Sequence, residues 1–157
     1  MTVTTNQRGV LQIDDCRIIF RNFAGEENQC NRQGDRNFAL VIPDEELATQ
    51  LKDDGWNVKI KPARVEGELP LMYLPVKVTF SERSGPACYI DSNGNRVQLD
   101  VNTVHRLDRI DAYKIDMDVR PYDWGPINGK YGRTAYLSAI CMYANVDRFN
   151  RVSEGEY

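Results

Sequence analysis

Hydrophobic and polar positions alternate with a period of two over most of this chain, the pattern of strands with one buried face. From Leu11 to Phe23, Cys16, Ile18 and Phe20 fall on one face, with Arg17, Ile19 and Arg21 on the other. Arg36 to Ile42 reads as a second strand, joined to the first by a polar loop, Ala24 to Asp35. Alternation returns in Trp56–Lys61, with Trp56, Val58 and Ile60 inward, and in Leu74–Phe80, where Pro75 suggests an edge position. Ala87–Ile90 and Arg96–Leu99 flank an Asn93-Gly94 pair, a strong hairpin signal. Tyr113–Arg120 and Arg133–Tyr143 predict a final hairpin, with Tyr122, Trp124, Lys130 and Tyr131 in its connecting loop.

One segment follows the helical period instead. Pro43-Asp44-Glu45-Glu46 places a proline and three acids at the positive end of a helix dipole. Leu47 and Leu51 supply the apolar stripe and Gly55 the stop, so a short helix spans Pro43 to Asp54. Many short strands with a single helix predict a mainly β fold, a small barrel or sandwich, with the helix favouring a barrel capped at one end. Residues 1–9 read as a flexible arm, residues 10–149 as one β domain and residues 150–157 as a polar acidic tail.

The 157 residues suit one domain with its own core. No apolar run approaches the ~20 residues that span a bilayer, and the N-terminus lacks the apolar stretch of a signal peptide. The expected compartment is therefore the cytoplasm. Cys16, Cys30, Cys88 and Cys141 form no C-x-x-C pair and His105 is the single histidine, so no metal or cofactor is expected. Cys16 and Cys141 sit in apolar strands as core residues, and Cys30 lies in the polar loop.

Little in the chain points to catalysis. There is no G-x-S-x-G elbow beside His105 and no phosphate-binding G-x-x-x-x-G-K-[ST]. Asp116 and Asp118 share a strand face and would be the carboxylates of a Mg²⁺-dependent nuclease, but Lys114 and Arg120 on either side of them fit a solvated face better.

The composition that carries function is the interleaving of cations with aromatics, which suits a single strand whose phosphates follow the charges while its bases stack. Arg17, Arg21, Phe23, Arg32 and Arg36 lie on the first hairpin; Trp124, Lys130, Tyr131 and Arg133 lie on the last; Lys59, Lys61 and Lys77 lie between. Phe20, Phe38, Trp56 and Tyr136 read as core. A net charge of −3 places the weight on where these cations cluster. The C-terminus, Arg151 to Tyr157, ends in two acids and an aromatic, as tails that recruit partners do.

Three stretches carry a resemblance: Arg21-Asn22-Phe23-Ala24-Gly25 with Asn31 to Phe38; Gly55-Trp56-Asn57-Val58-Lys59; and Arg120-Pro121-Tyr122-Asp123-Trp124 with Gly132 to Leu137. Together they resemble phage-encoded OB-fold single-stranded-DNA-binding proteins of replication and recombination modules. The resemblance implies an OB-like barrel with long hairpins, acting in an infected host cell. DNA contacts would fall on Arg21, Arg32, Arg36, Trp124, Lys130, Tyr131 and Arg133. The expected partners are single-stranded DNA, replication or recombination proteins engaged through the tail, and further copies of the chain in a homo-oligomer. Two other readings stay open: a phage inhibitor that covers a host protein surface, and the nuclease built on Asp116 and Asp118.

Overall fold

The computed structural model describes residues 1–155. Its strands are β1 (Thr2–Thr5), β2 (Leu11–Asp14), β3 (Ile18–Asn22), β4 (Arg36–Val41), β5 (Lys59–Lys61), β6 (Leu71–Val78), β7 (Ala87–Ser92), β8 (Asn95–Leu99), β9 (Ala112–Ile127) and β10 (Lys130–Ala144). Helix α1 (Glu45–Asp53) follows β4, and a 3-10 turn, Val104–Asp108, precedes β9. All ten strands join one sheet in the order β1-β2-β9-β10-β6-β4-β3, with β5 added to β6 and the β7–β8 hairpin added to β10. The fold is mainly β and OB-like, although the sheet does not close into a barrel.

Strand β10 is the spine. One edge pairs antiparallel with β9 along almost its whole length; the other pairs parallel with β6 at Ala135–Tyr136 and then with β7 from Ala139 to Tyr143. The core lies on one face, where Leu74, Val76, Val119, Leu137, Ile140 and Met142 are buried. Helix α1 covers part of it with Ala48 and Leu51. The Asp44 carboxylate caps the helix by accepting the Leu47 N–H at 2.8 Å, and Glu45 and Glu46 occupy the first turn, as the sequence predicts.

The structure departs from the sequence reading in four places. The strand expected from Leu11 to Phe23 breaks at Asp15, whose φ is +52°, because β2 must follow β9 while β3 follows β4. Residues 1–9 are not a free arm: the β-branched Thr2–Thr5 run pairs antiparallel with β2, and Val3 packs against the core. The connection in the last hairpin is ladder, not loop, and turns only at Asn128-Gly129, both with positive φ. The tail docks: the Ser153 N–H donates to the Asn145 carbonyl at 2.8 Å and the Gly155 N–H to the Arg109 carbonyl at 2.8 Å. The final acid and aromatic, Glu156 and Tyr157, lie outside the described residues.

Candidate nucleic-acid interface

Cross-strand partners share a face of a sheet, so register decides which side chains meet on the side turned away from the core. Arg120 of β9 is opposite Tyr136 of β10, Tyr136 is beside Lys77 of β6, and Lys77 is opposite Asn37 of β4. Their core-facing neighbours Val119, Ala135, Val76 and Phe38 are buried. Four adjacent strands therefore present one outer row: Arg120, Tyr136, Lys77, Asn37. The Arg120 guanidinium lies 4.7 Å from the Tyr136 ring centroid, and Tyr122 meets the same ring edge-on at 6.1 Å.

Beside this row is a groove of about 290 Å³ between Tyr136, Lys77, Asn37 and Arg36, walled by Phe80. The Arg36 guanidinium sits 5.7 Å from the Phe80 ring centroid, and its buried Nε has no hydrogen-bond partner among the described residues. Further along β6, Lys59 is opposite Tyr73 and Lys61 opposite Leu71, so β5 extends the same face with two exposed cations.

The ribbon β9–β10 runs past this row to its Asn128-Gly129 turn. Trp124 faces Gly132 across the ladder, and a Cβ on Gly132 would collide with the indole. Only glycine lets the ring lie flat across the opposing strand, so Trp124 is half-buried while Tyr122 and Tyr131 remain exposed.

The sequence-predicted residues divide. Lys59, Lys61 and Lys77 come together on the outer face, and Arg36, opposite buried Val78 at the start of β4, lines the smaller groove beside it. Lys130 and Tyr131 stand at the exposed ribbon tip, and Arg32 is exposed at the tip of the first hairpin. Four others do different work. Phe23 is fully buried, stacked on Phe38 with centroids 5.2 Å apart. Arg21 Nη1 donates to the Leu107 and Ile110 carbonyls at 3.0 and 2.8 Å, fixing β3 to the 3-10 turn. Beside it, the Asp108 carboxylate accepts the Phe23 and Ala24 N–H groups at 2.6 and 3.0 Å. Arg133 points to the core side. It donates to Asp123 Oδ1 at 2.6 Å and the Asp54 carbonyl at 2.7 Å, and stacks over Trp56 at 5.1 Å. Arg17 lies at the far end of β4 in a pocket shared with Asp44 and Glu45.

The outer face also carries Arg120 and Tyr136, which the sequence reading did not place there. Strict alternation from Arg133 makes Tyr136 appear inward, but the ladder slips between Leu137 and Ala139, which turns Tyr136 outward while Ile140 and Met142 remain core. Phe20, also read as core, is 58% exposed.

Of the two nuclease carboxylates, one is otherwise engaged. Asp116 accepts the Asp15 N–H at 2.9 Å and pairs with Lys114 at 3.5 Å. Burial, and then the neighbouring Asp14, raise the Asp118 pKa. Among the described residues no three His, Cys, Asp or Glu side chains gather as a metal site. Burial pushes the Cys16 and Cys88 thiols up to about 12, which leaves them unreactive, and Cys30 is exposed. No described helix is long and apolar enough to cross a membrane.

With this geometry in place, the family described as "Putative phage ssDNA-binding domain" matches residues 1–153. The chain belongs to that family. Among solved structures, the single-stranded DNA-binding protein of bacteriophage Enc34 in complex with ssDNA superposes with a TM-score of 0.59 at 8% identity, over 94% of this chain and 93% of that one. The C-terminally truncated form of the Enc34 protein gives a TM-score of 0.53 at 11% identity, over 92% and 91% of the two chains. At such identities the likeness is one of fold. No curated protein matches the chain in sequence.

Proposed function

We propose that this protein binds single-stranded DNA without strong sequence preference, along the outer face of β9, β10, β6 and β4. The observation that carries the reading is the row Arg120, Tyr136, Lys77 and Asn37, a cation–aromatic–cation sequence on adjacent strands. Cations that track a backbone and aromatic faces that accept any base give sequence-tolerant binding. Family membership supports the same reading, as does the likeness in fold to a phage protein solved with ssDNA. In an infected cell such binding would protect single strands during replication or recombination.

The test is fluorescence anisotropy of a labelled ~30-nucleotide strand, a length that exceeds one OB-type site, beside its duplex at low and moderate salt. Tight, salt-sensitive binding to the strand, with much weaker binding to the duplex, is the expected result. No binding at low salt would overturn the proposal and leave a protein target, as for a host-protein inhibitor, as the reading to pursue.

A further inference from the structure

Phe20 has a backbone that its side chain disfavours. Its φ is +54°, in the left-handed region that residues with a Cβ rarely adopt, and it sits inside a strand. The β3–β4 register slips between Ile19 and Asn22, so β3 bulges at Phe20 and Arg21. The bulge turns Phe20 away from the core and leaves it 58% exposed, edge-on to Tyr73 of β6 with centroids 6.0 Å apart. The edge contact with Tyr73 returns little for a disfavoured backbone that holds most of an apolar ring in solvent, and such conformations gather at binding sites.

Phe20 and Tyr73 line a second groove, of about 890 Å³, and the Asn37 of the outer row lines this groove as well as the smaller one. The two cavities thus adjoin at one residue. From Lys77 to Tyr73 is four residues along β6, roughly 13 Å at strand rise. The lining carries both signs: Arg21, Lys61 and Arg109 contribute cations and Glu26, Glu27 and Asp108 carboxylates, Arg21 and Asp108 being committed to backbone hydrogen bonds. A phosphate would be drawn to the Lys61 side and repelled from the glutamates. The uncharged, flat part of a nucleotide suits the space over the aromatic pair.

Resting on the reading above, we propose that the bound strand continues past Asn37 into this groove, with a nucleobase stacked on Phe20 and its phosphates led by Lys59 and Lys61. This makes Phe20 and Tyr73 a second stacking platform, engaged only by strands long enough to reach it from Tyr136.

The test compares oligothymidylates of ~3 nucleotides, whose two steps cover only about 7 Å at duplex rise and fall short of the second platform, and of ~16 nucleotides, the upper end of OB-type site sizes, by anisotropy on wild type, Phe20→Leu, Phe20→Gly and Phe20→Trp. Leucine keeps apolar bulk without the aromatic face. Glycine suits the left-handed backbone, so its loss of binding would come without loss of fold, as checked by thermal melting. Both should bind the longer strand roughly tenfold more weakly than wild type, the size of one lost stacking contact, and the shorter strand within about twofold. Phe20→Trp should keep wild-type affinity for both. Wild-type affinity of Phe20→Leu and Phe20→Gly for the longer strand would overturn the second platform and leave the outer row intact. An equal loss at both lengths would also overturn it, by placing Phe20 in the first site. If wild type bound neither strand, the ssDNA reading itself would fall.

Discussion

Tyr136 and Lys77 are neighbours across the β10–β6 ladder, yet they would act on a bound strand by different physics. A ring contributes stacking, worth ~1–3 kcal/mol per base and insensitive to salt; an ammonium releases counterions, and its share fades as salt rises. Tyr136→Ala should therefore weaken binding by that stacking amount with an unchanged salt slope. Lys77→Ala should instead reduce the slope of log K against log salt by about 0.7. Titrations at four salt concentrations separate the two, and equal slopes for both variants would show that Lys77 meets no phosphate. Asp118, on the same strand as Arg120, gives a prediction about stability. Burial, and secondly Asp14, raise its folded pKa, so the native state holds this proton more tightly than the unfolded chain does. The corresponding stability is present at pH below the ordinary aspartate range and is lost as pH rises through the raised value. Asp118→Asn should thus melt higher than wild type at pH 7, and the difference should vanish on acidification toward pH ~3, below the unperturbed carboxyl value. A difference that grew on acidification would reverse the sign of the argument.

Between elements, Arg133 joins parts that are distant in sequence. Its fork holds Asp123 on the ribbon and the Asp54 carbonyl at the end of α1, over the face of Trp56. The Asp123 pKa is lowered by that hydrogen bond. Lysine keeps the charge but has neither the planar fork nor the stacking surface. Arg133→Lys should cost about 1 kcal/mol in stability by denaturant unfolding, the scale of a partly exposed charged hydrogen bond, and leave ssDNA affinity within twofold. An affinity loss without a stability loss would return Arg133 to the interface. That these contacts could not be read from the sequence has a physical cause. Alternation tells which residues share a face of one strand, but not which loop or helix end lies over that face. The contacts of Arg21 were hidden for the same reason, since its partners are carbonyls at Leu107 and Ile110, far along the chain. What was legible was local: the acids at the start of α1, the Asn93-Gly94 turn with both φ values positive, and the inward Trp56 and Val58. Where a ladder slips, as at Phe20 and between Leu137 and Ala139, alternation gives the wrong face, and the chain carries no local mark of the slip.

For the whole molecule, a net charge of −3 would oppose binding to a polyanion if charge were spread evenly. It is not. Asp44, Glu45 and Glu46 gather at the start of α1, and Asp123 is neutralised by Arg133. Lys59, Lys61, Lys77 and Arg120 occupy the outer face and Arg36 lines the groove beside it, with Asp118 two residues from Arg120 and with Glu26 and Glu27 in the second groove. The sequence contains this asymmetry only as a list of charges, because the pairing of β10 first with β6 and then with β7 is non-local, and it decides which of them meet. A field of this shape makes a quantitative claim. If these five cations each neutralise one phosphate, log K against log salt should fall with a slope of about −3.5 for a single strand. Were the 20 Lys and Arg all engaged, as on a nonspecific cationic surface, the slope would be about −14. The measured slope therefore counts the interface: a value near −1 would confine phosphate contact to the rim of one groove, and one steeper than about −6 would require cations beyond this face, the first of them Arg32 and Lys130 at the two hairpin tips.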